Sequence, residues 1–488
     1  MKLLHQLIEK IPYIHYIGDL NIPITEVVID SRKIVTGCLF IALEGGLTDG
    51  HNFIEDAIKK GASAIVHSKK IIEYKNNISY IEVKDAHYSL AFIASAFYNN
   101  PSAKLKMVGV TGTNGKTTVA TLLFKLFSEL GYSCGLISTV QNQIKNTIIP
   151  ATHTTPDALQ LHGLLSKMVA ENCQFVFMEC SSHAIHQQRI IGINFIGAIF
   201  TNLTLDHLDY HKTFEEYMFV KKKLFDDLSS SSFSISNIDD TCGMKMIENT
   251  KSKKVTYSIE NLSNIKGKLI ENNLTGLVLE IDNVEIHFKL VGKFNAYNLL
   301  AVYGTAVLLG EDKHTILKVL STLEGAAGRF DGLLSRNNIM GIIDYAHTPD
   351  ALENVLNTIQ QLKKENQQLI TVVGCGGNRD KTKRPHMLQI ACKYSDTVIV
   401  TADNPRFELP EDIISDMFAG IKSSLKRKTT TIIDRKLAIE TAVKLAHVND
   451  IILIAGKGHE KYQEINGVKN PFDDKKILSN YFNTISIN

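Results

Sequence analysis

The stretch MVGVTGTNGKTT, Met107–Thr118, decides the architecture of this chain. Met107–Val110 reads as an apolar strand. Gly112 and Gly115 let the backbone turn sharply with its N–H groups pointing inward, as a polyphosphate requires. Lys116 places a point charge at the outer phosphates, and the Thr117 hydroxyl suits a magnesium ion. Val119, Leu122, Leu123, Leu126 and Phe127 recur at helical spacing, so a helix begins here with its N-terminus toward the anion. The common P-loop pattern has a glycine where this chain has Val110, and a GK[ST] tripeptide alone occurs in loops by chance. The strand before it, the helix after it and the loop glycines decide for a nucleoside triphosphate site.

Outward from this loop the same strand–loop–helix rhythm recurs. Four apolar runs end in polar loops near the C-terminus: GIIDYAHTP, ITVVGCGGNRD, VIVTADNPR and IILIAGKGHE. With amphipathic helices between them they predict a mostly parallel sheet, whose ligands bind outside the carboxyl ends of the strands. Asp344, His347, Arg379, Asp403, Asn404, Arg406, Lys457, His459 and Glu460 then share one edge. In the middle of the chain, FVFMECSSHAIHQQR puts Glu179, Ser181 and His183 after a buried strand, and GAIFTNLTLDHLDYH does so for Asn202, Asp206 and His207. A carboxylate and an imidazole at neighbouring strand ends can hold a divalent ion, although a single histidine is more often structural.

Phe214, Tyr217, Met218, Leu224, Phe225 and Leu228 form a helical stripe with Lys221 in its middle, while Lys222 and Lys223 turn away from it. Two readings of Lys221 stand side by side. Its head can snorkel to water past an apolar stem, the reading that periodicity alone favours. Alternatively, burial lowers its pKa, and the neutral amine takes up carbon dioxide as an anionic carbamate near a metal ion.

Composition bounds the function class. At 488 residues the length prior is about three domains. Lys plus Arg is 53 against 51 for Asp plus Glu, which points to neither nucleic acid nor an anionic membrane as partner. No apolar run reaches the ~18 residues needed to span a bilayer, and Glu9 interrupts the segment where a signal peptide is apolar. The 7 cysteines lack CxxC spacing and read as reduced structural thiols. Short strands and turns such as EVVIDSRKI and CLFIALEGG occupy the first hundred residues, with a helix near Phe53 to Lys60. The turn NNPSAK, Asn99–Lys104, marks a boundary, strands and helices alternate from there to about Gly328, and a last region begins near Leu333.

In combination, TGTNGKTT, ECSSHAIHQQR, TNLTLDHLDYH, GKFNAYNLL, GRFD, DYAHTPDAL, GCGGNRDKTKRP, DNPR and AGKGHE resemble the Mur ligase family, in family order along nearly the whole chain. The resemblance implies an α/β protein of three domains: an N-terminal mixed α/β uridine-binding domain (1–102), a central P-loop parallel-sheet ATPase domain (103–330) and a C-terminal Rossmann-like α/β domain (331–488). It implies ATP and Mg2+ as cofactors, and Gly112, Thr113, Asn114, Gly115, Lys116, Thr117, Thr118, Asn298 and Arg329 at ATP, with Asn298 near the adenine. Ile29, Ser31, Gly46, Leu47, Thr48, His153, Thr154, Thr155, Ser181, Gln187 and Arg189 would hold the UDP-muramoyl-dipeptide, His153 standing where relatives often carry Asn. Arg379, Asp403, Asn404, Pro405, Arg406, Gly456 and Glu460 would hold the incoming amino acid, and Arg406 offers a second carboxylate a bidentate fork, as diaminopimelate but not lysine requires. Metal ligands would be Thr117, Glu179, His207 and Lys221, the last matching the family's carbamylated lysine (N6-carboxylysine) and so reversing the preference for snorkelling. Lys116, His207, Lys221 and Arg329 would be the catalytic groups. The implied reaction is ATP-dependent amide formation through an acyl phosphate in cytoplasmic peptidoglycan precursor synthesis. Its partners are small-molecule substrates, with no nucleic acid and no membrane insertion, and the protein is expected to be a monomer. A lysine-adding Mur ligase and a folylpolyglutamate-type ligase are the alternatives.

Overall fold

Lys106–Thr111 forms the strand expected ahead of the phosphate loop, and from Met107 on it is fully buried. Such a run, apolar on both faces, needs cover on both sides and parallel neighbours. It has them: Phe175–Glu179 on one side and Phe195–Phe200 on the other, both parallel. The computed structural model describes residues 1–45, 48–151, 153–206 and 208–484. Its chain divides into two units, Met1–Lys266 with Tyr297–Val319, and Gly267–Ala296 with Leu320 onward.

In the first unit the central sheet runs in the order Thr147–Ile149, Asn142–Ile144, Cys134–Ile137, Phe175–Glu179, Lys106–Thr111, Phe195–Phe200, Phe233–Asn237, Lys253–Ser258. From Cys134–Ile137 to Lys253–Ser258 the strands are parallel, and an antiparallel hairpin closes the other edge. Lys116–Glu129 follows the phosphate loop, burying the predicted stripe of Val119, Leu122, Leu123, Leu126 and Phe127. The N-terminal part is a separate five-stranded sheet of Tyr13–Ile17, Ser79–Val83, Ala64–His67, Leu39–Ile41 and Val27–Val28, antiparallel only at its first pair. All 7 cysteines are free and buried.

The second unit carries the four predicted strands, Met340–Asp344, Leu369–Val373, Thr397–Val400 and Ile451–Ala455, all parallel within a six-stranded sheet. Two short edge strands escaped the sequence reading, Asp331–Leu334 (antiparallel) and Thr429–Thr431. One face of the sheet packs under Leu352, Leu356 and Met387, the other under Ala438, Ile439 and Leu478.

The expected alternation of strands and helices up to Gly328 fails between Ile265 and Phe288. There, Ile265–Asn273, Gly276–Ile281 and Val284–Phe288 form an antiparallel meander with no intervening helix. Its second turn is Asp282–Asn283, with φ of 51° and 63°. Two consecutive left-handed residues make the tight turn whose twist matches paired strands. Period-two alternation in VEIHF and the Asp-Asn pair carry this signal, which the strand–helix rhythm around it obscured.

Candidate active site

The phosphate loop takes its shape from close approaches that only glycine permits. Gly112 has φ of 149° and Gly115 of 88°, and a side chain at Gly112 would meet Thr201 Oγ1 at 2.0 Å. The loop is held from the strand end beside it: Thr113 N donates to Asn202 O at 2.8 Å and Asn114 N to Asn202 Oδ1 at 2.9 Å. Thr201 Oγ1 donates to Asn114 O at 2.6 Å. Asn202 therefore fixes the loop. Lys116 Nζ folds back onto the carbonyls of Gly112 and Thr113 at 3.0 and 2.8 Å. Thr117 and Thr118 are buried in the first turn of the helix, and Asn298 Oδ1 lies against Gly115, beside the loop. Gly112→Ala should weaken ATP binding about tenfold or more, since forced strain of this kind costs of order 1–3 kcal/mol. Calorimetric titration with ATP checks this, and wild-type affinity in the variant would contradict the loop geometry.

Lys221 lies at the base of this loop and does not snorkel. It is 1 % exposed, donates from Nζ to Gly112 O at 2.8 Å and sits over the Tyr217 ring at 4.6 Å. Burial, with the positive charge of Lys116 nearby, holds its pKa well below that of an ordinary lysine. Lys222, expected to turn away from the core, is buried as well and pairs with Asp226 at 2.5 Å. Its position one residue off the stripe still faces protein, because the stem is covered while the head reaches a carboxylate one turn on.

Glu179 ends its strand with a fully buried carboxylate. Thr139 donates to it from both backbone N (2.7 Å) and Oγ1 (3.2 Å). The sequence reading missed Thr139; its signal is a hydroxyl placed just past the neighbouring strand Cys134–Ile137. Thr139 Oγ1 also meets Thr154 Oγ1 at 3.1 Å, Thr155 Oγ1 donates to Glu179 O at 2.7 Å, and Ser181 N donates to Thr155 Oγ1 at 3.2 Å. Arg189 donates to Gln187 Oε1 from Nε and to Thr155 O from NH1, at 3.0 and 2.8 Å. Thr154, Thr155, Ser181, Gln187 and Arg189 thus form one connected group with Glu179. His153 is exposed. His207, Gly46 and Leu47 lie outside the described residues. In the N-terminal sheet Ile29 is partly buried, and Ser31 opens a short turn capped by Asp30. Hydrogen bonds from Arg32 lower the Asp30 pKa to about 2. Thr48 O accepts from Gly45 N at 3.0 Å.

In the second unit the strand ends gather a second cluster. Asn404 is buried with both ends of its amide engaged: Nδ2 donates to Glu460 at 2.7 Å, and Oδ1 accepts from Lys457 Nζ and Glu464 N, each at 2.9 Å. A side chain at Gly456 would meet the Asp403 carboxylate at 2.5 Å. Arg406 NH1 donates to Gly377 O at 2.8 Å, and both Arg406 and the exposed Arg379 border Gly376. Pro405 is buried and turns the loop, its carbonyl accepting from Glu408 N at 3.0 Å. Arg384 is fully buried and ties Gly376 O, Glu408 and Asp416 together, another support that sequence spacing did not reveal. Arg329 stacks on Tyr345 at 4.8 Å with a buried Nε that has no hydrogen-bond partner among the described residues, and His459 packs on the same ring at 4.9 Å. Burial pushes His459 down to about 4, so it is neutral at physiological pH, whereas His347 is exposed, with Nδ1 against Tyr345 O at 2.9 Å.

A glycine-built phosphate loop, a buried lysine and carboxylate beside it, and a second strand-end cluster of Asp, Asn, Arg and Glu define the equipment of an ATP-dependent ligase. Models of three Mur ligase domains match in order: the family's catalytic domain over residues 23–98, the middle domain over 110–306 and the glutamate ligase domain over 328–458. The chain belongs to the Mur ligase family. It is 53 % identical over 480 residues to the UDP-N-acetylmuramoyl-L-alanyl-D-glutamate–2,6-diaminopimelate ligase of Cytophaga hutchinsonii, covering 98 % of this chain and 99 % of that one. The enzyme of the same name from Bacteroides fragilis is 52 % identical over 479 residues, with the same coverage. A solved structure of an enzyme so named aligns with a TM-score of 0.70 at 33 % identity, covering 99 % of each chain. The Thermotoga maritima MurF ligase in complex with ADP shares the fold, with a TM-score of 0.60 at 18 % identity over 94 % of this chain and 97 % of that one.

Proposed function

We propose that this chain is the ATP-dependent ligase that joins meso-diaminopimelate to UDP-N-acetylmuramoyl-L-alanyl-D-glutamate in cytoplasmic peptidoglycan precursor synthesis. The observation that carries this reading is the 53 % identity, across 98 % of the chain, to a ligase of that name. The sequence-defined domains 1–102, 103–330 and 331–488 take the uridine end of the substrate, ATP and the amino acid in turn.

A carboxylate is a poor electrophile, so the γ-carboxylate of the D-glutamate first accepts the γ-phosphoryl group of ATP, and ADP leaves with the electrons of the broken P–O bond. The diaminopimelate amine attacks the acyl phosphate and gives up a proton, the amide forms, and phosphate leaves with the C–O bond electrons. Positioning and charge neutralisation carry phosphoryl transfer. Lys116 and Arg329 are the cationic groups for the phosphates, and Thr154, Thr155, Ser181, Gln187 and Arg189 orient the muramoyl-dipeptide. The residues present fit magnesium: Glu179 buries a carboxylate whose two bonds above both come from uncharged groups of Thr139, and Lys221 is buried where a neutral amine is favoured. Thr117, Glu179, His207 and Lys221 as its carbamate would hold the ion. When bound, magnesium neutralises phosphate charge and polarises the transferring group.

Among the described residues no helix is long and apolar enough to cross a membrane. Purified protein supplied with ATP, the UDP-muramoyl-dipeptide and an amino acid should release phosphate with diaminopimelate and not with lysine. Release with lysine, or with a folate acceptor, would overturn the substrate assignment. Arg406→Ala should lose most diaminopimelate turnover, because discrimination through a lost polar partner reaches about ten-thousand-fold. ATP binding by the same variant should stay near normal in calorimetry, and full turnover would disprove the role of this loop.

A further inference from the structure

Arg406 is held in an unusual conformation, and the hairpin Tyr462–Pro471 is what holds it. Its φ is 52°, a left-handed backbone that a long side chain adopts only under constraint. Arg406 N donates to Glu464 O at 3.0 Å, and Asn466 N donates to Arg406 O at 2.6 Å, so the residue is clamped from both sides by one strand end. The same strand reaches the rest of the loop. Glu464 N donates to Asn404 Oδ1 at 2.9 Å, and Gln463 Nε2 donates to Asp403 O at 2.8 Å.

The side chain is constrained too. A guanidinium has five N–H donors in a planar fork. Arg406 NH1 uses one on Gly377 O at 2.8 Å, and its Nε faces Glu464 Oε2 at 3.4 Å. Both side chains are about four-fifths covered, with exposures of 19 % and 21 %. With the Nε edge facing an acid and one NH1 hydrogen facing a carbonyl, a parallel pair remains at the end of the fork, one hydrogen on NH1 and one on NH2. With the side-on Nε edge turned to Glu464, that end-on pair is the edge left to meet a carboxylate bidentately.

We propose that Glu464 is a positioning residue that turns the Arg406 guanidinium end-on to the distal carboxylate of the incoming amino acid, and so helps to select it. The inference rests on the assignment of Arg406 to that carboxylate. Without Glu464 the guanidinium is free to rotate about its stem, and the fixed end-on presentation to the ligand is lost for part of the time. At 3.4 Å the pair is a loose contact, and the thermal midpoint of the variant separates any loss of folding stability from the effect on the ligand.

The test is steady-state kinetics on the full chain with ATP and the UDP-muramoyl-dipeptide. Glu464→Ala should raise KM for diaminopimelate by roughly tenfold, the usual scale of a charge-assisted hydrogen bond, and narrow the preference over lysine. KM for ATP, kcat at saturating amino acid and the thermal midpoint should hold. Glu464→Asp, which keeps the charge, should recover part of the loss. In an Arg406→Ala background, Glu464→Ala should add nothing, because the two act as one unit. An unchanged or lowered KM in Glu464→Ala, the latter meaning that the acid competes with the ligand, overturns the proposal. So does an equal effect of Glu464→Ala with and without Arg406. If Arg406→Ala itself turns over diaminopimelate normally, the underlying assignment fails instead, and that outcome is read independently of Glu464.

Discussion

Lys221→Ala should fold and be almost inactive, with turnover reduced roughly a thousandfold, the cost of losing one preorganised charge at a phosphoryl-transfer centre. The amine is buried: its Nζ bonds the Gly112 carbonyl at 2.8 Å and sits over the Tyr217 ring at 4.6 Å. An ammonium there would face the positive charge of Lys116 with no carboxylate hydrogen-bonded to it among the described contacts, and burial lowers its pKa accordingly. Both pressures favour the neutral amine, the form that would add to carbon dioxide and, on losing a proton, give the carbamate proposed above. Acetate or formate at tens of millimolar should therefore restore part of the activity of Lys221→Ala, by filling the vacated space with a carboxylate. Lys221→Arg should not respond, since a guanidinium stays protonated and fills the space. The measurements are phosphate release with and without the small acid, and a thermal melt to show that the variant is folded. Turnover in Lys221→Ala within a few-fold of wild type would exclude the carbamate.

Asp474→Ala should destabilise the second unit by about 3–5 kcal/mol, the cost of leaving a buried charge unpaired. Arg435 and Asp474 are both buried, joined by two bonds of 2.9 and 2.8 Å, and Arg435 also donates to Ala455 O at 3.0 Å. Ala455 precedes Gly456, so the pair braces the strand end that carries the GKGHE loop. For a domain of this size each kcal/mol shifts the melting temperature by about 2–4 °C, and calorimetry should show that unit's transition near 10 °C lower. Replacing both partners, as in Arg435→Met with Asp474→Leu, should recover much of the loss, because a buried ion pair is worth little more than apolar contacts of equal volume. A melting temperature unchanged in Asp474→Ala would mean that Arg435 finds another partner.

The phosphate loop and the four strands of the second unit were legible because each is local. Met107–Thr118 contains its own strand, turn glycines, charge and helix start, and GIID, ITVV, VIV and IILIA each announce burial on both faces by an unbroken apolar run. Parallel pairing then followed from the helices between them. The candidate site residues at strand ends were placed by the same rule, without knowledge of which strands are neighbours.

Tertiary structure alone decided what supports those residues. Thr139 reaches Glu179 only because Cys134–Ile137 pairs beside Phe175–Glu179, and that order of strands is set by long-range packing. Helical periodicity placed Lys221 on a core stripe but could not separate a covered head from one at the surface, since both share the same stem; the covering Gly112 carbonyl lies 109 residues away in sequence. Lys222 shows the converse, a position off the stripe that neighbouring elements bury. Glu464 meets Arg406 across 58 residues of sequence, because the hairpin Tyr462–Pro471 docks against the loop that carries Arg406. Local chemistry is written in short windows where propensity and spacing act. The charges and carbonyls that surround a side chain come from segments brought together only by burying the apolar faces of both units, and no window of sequence contains them.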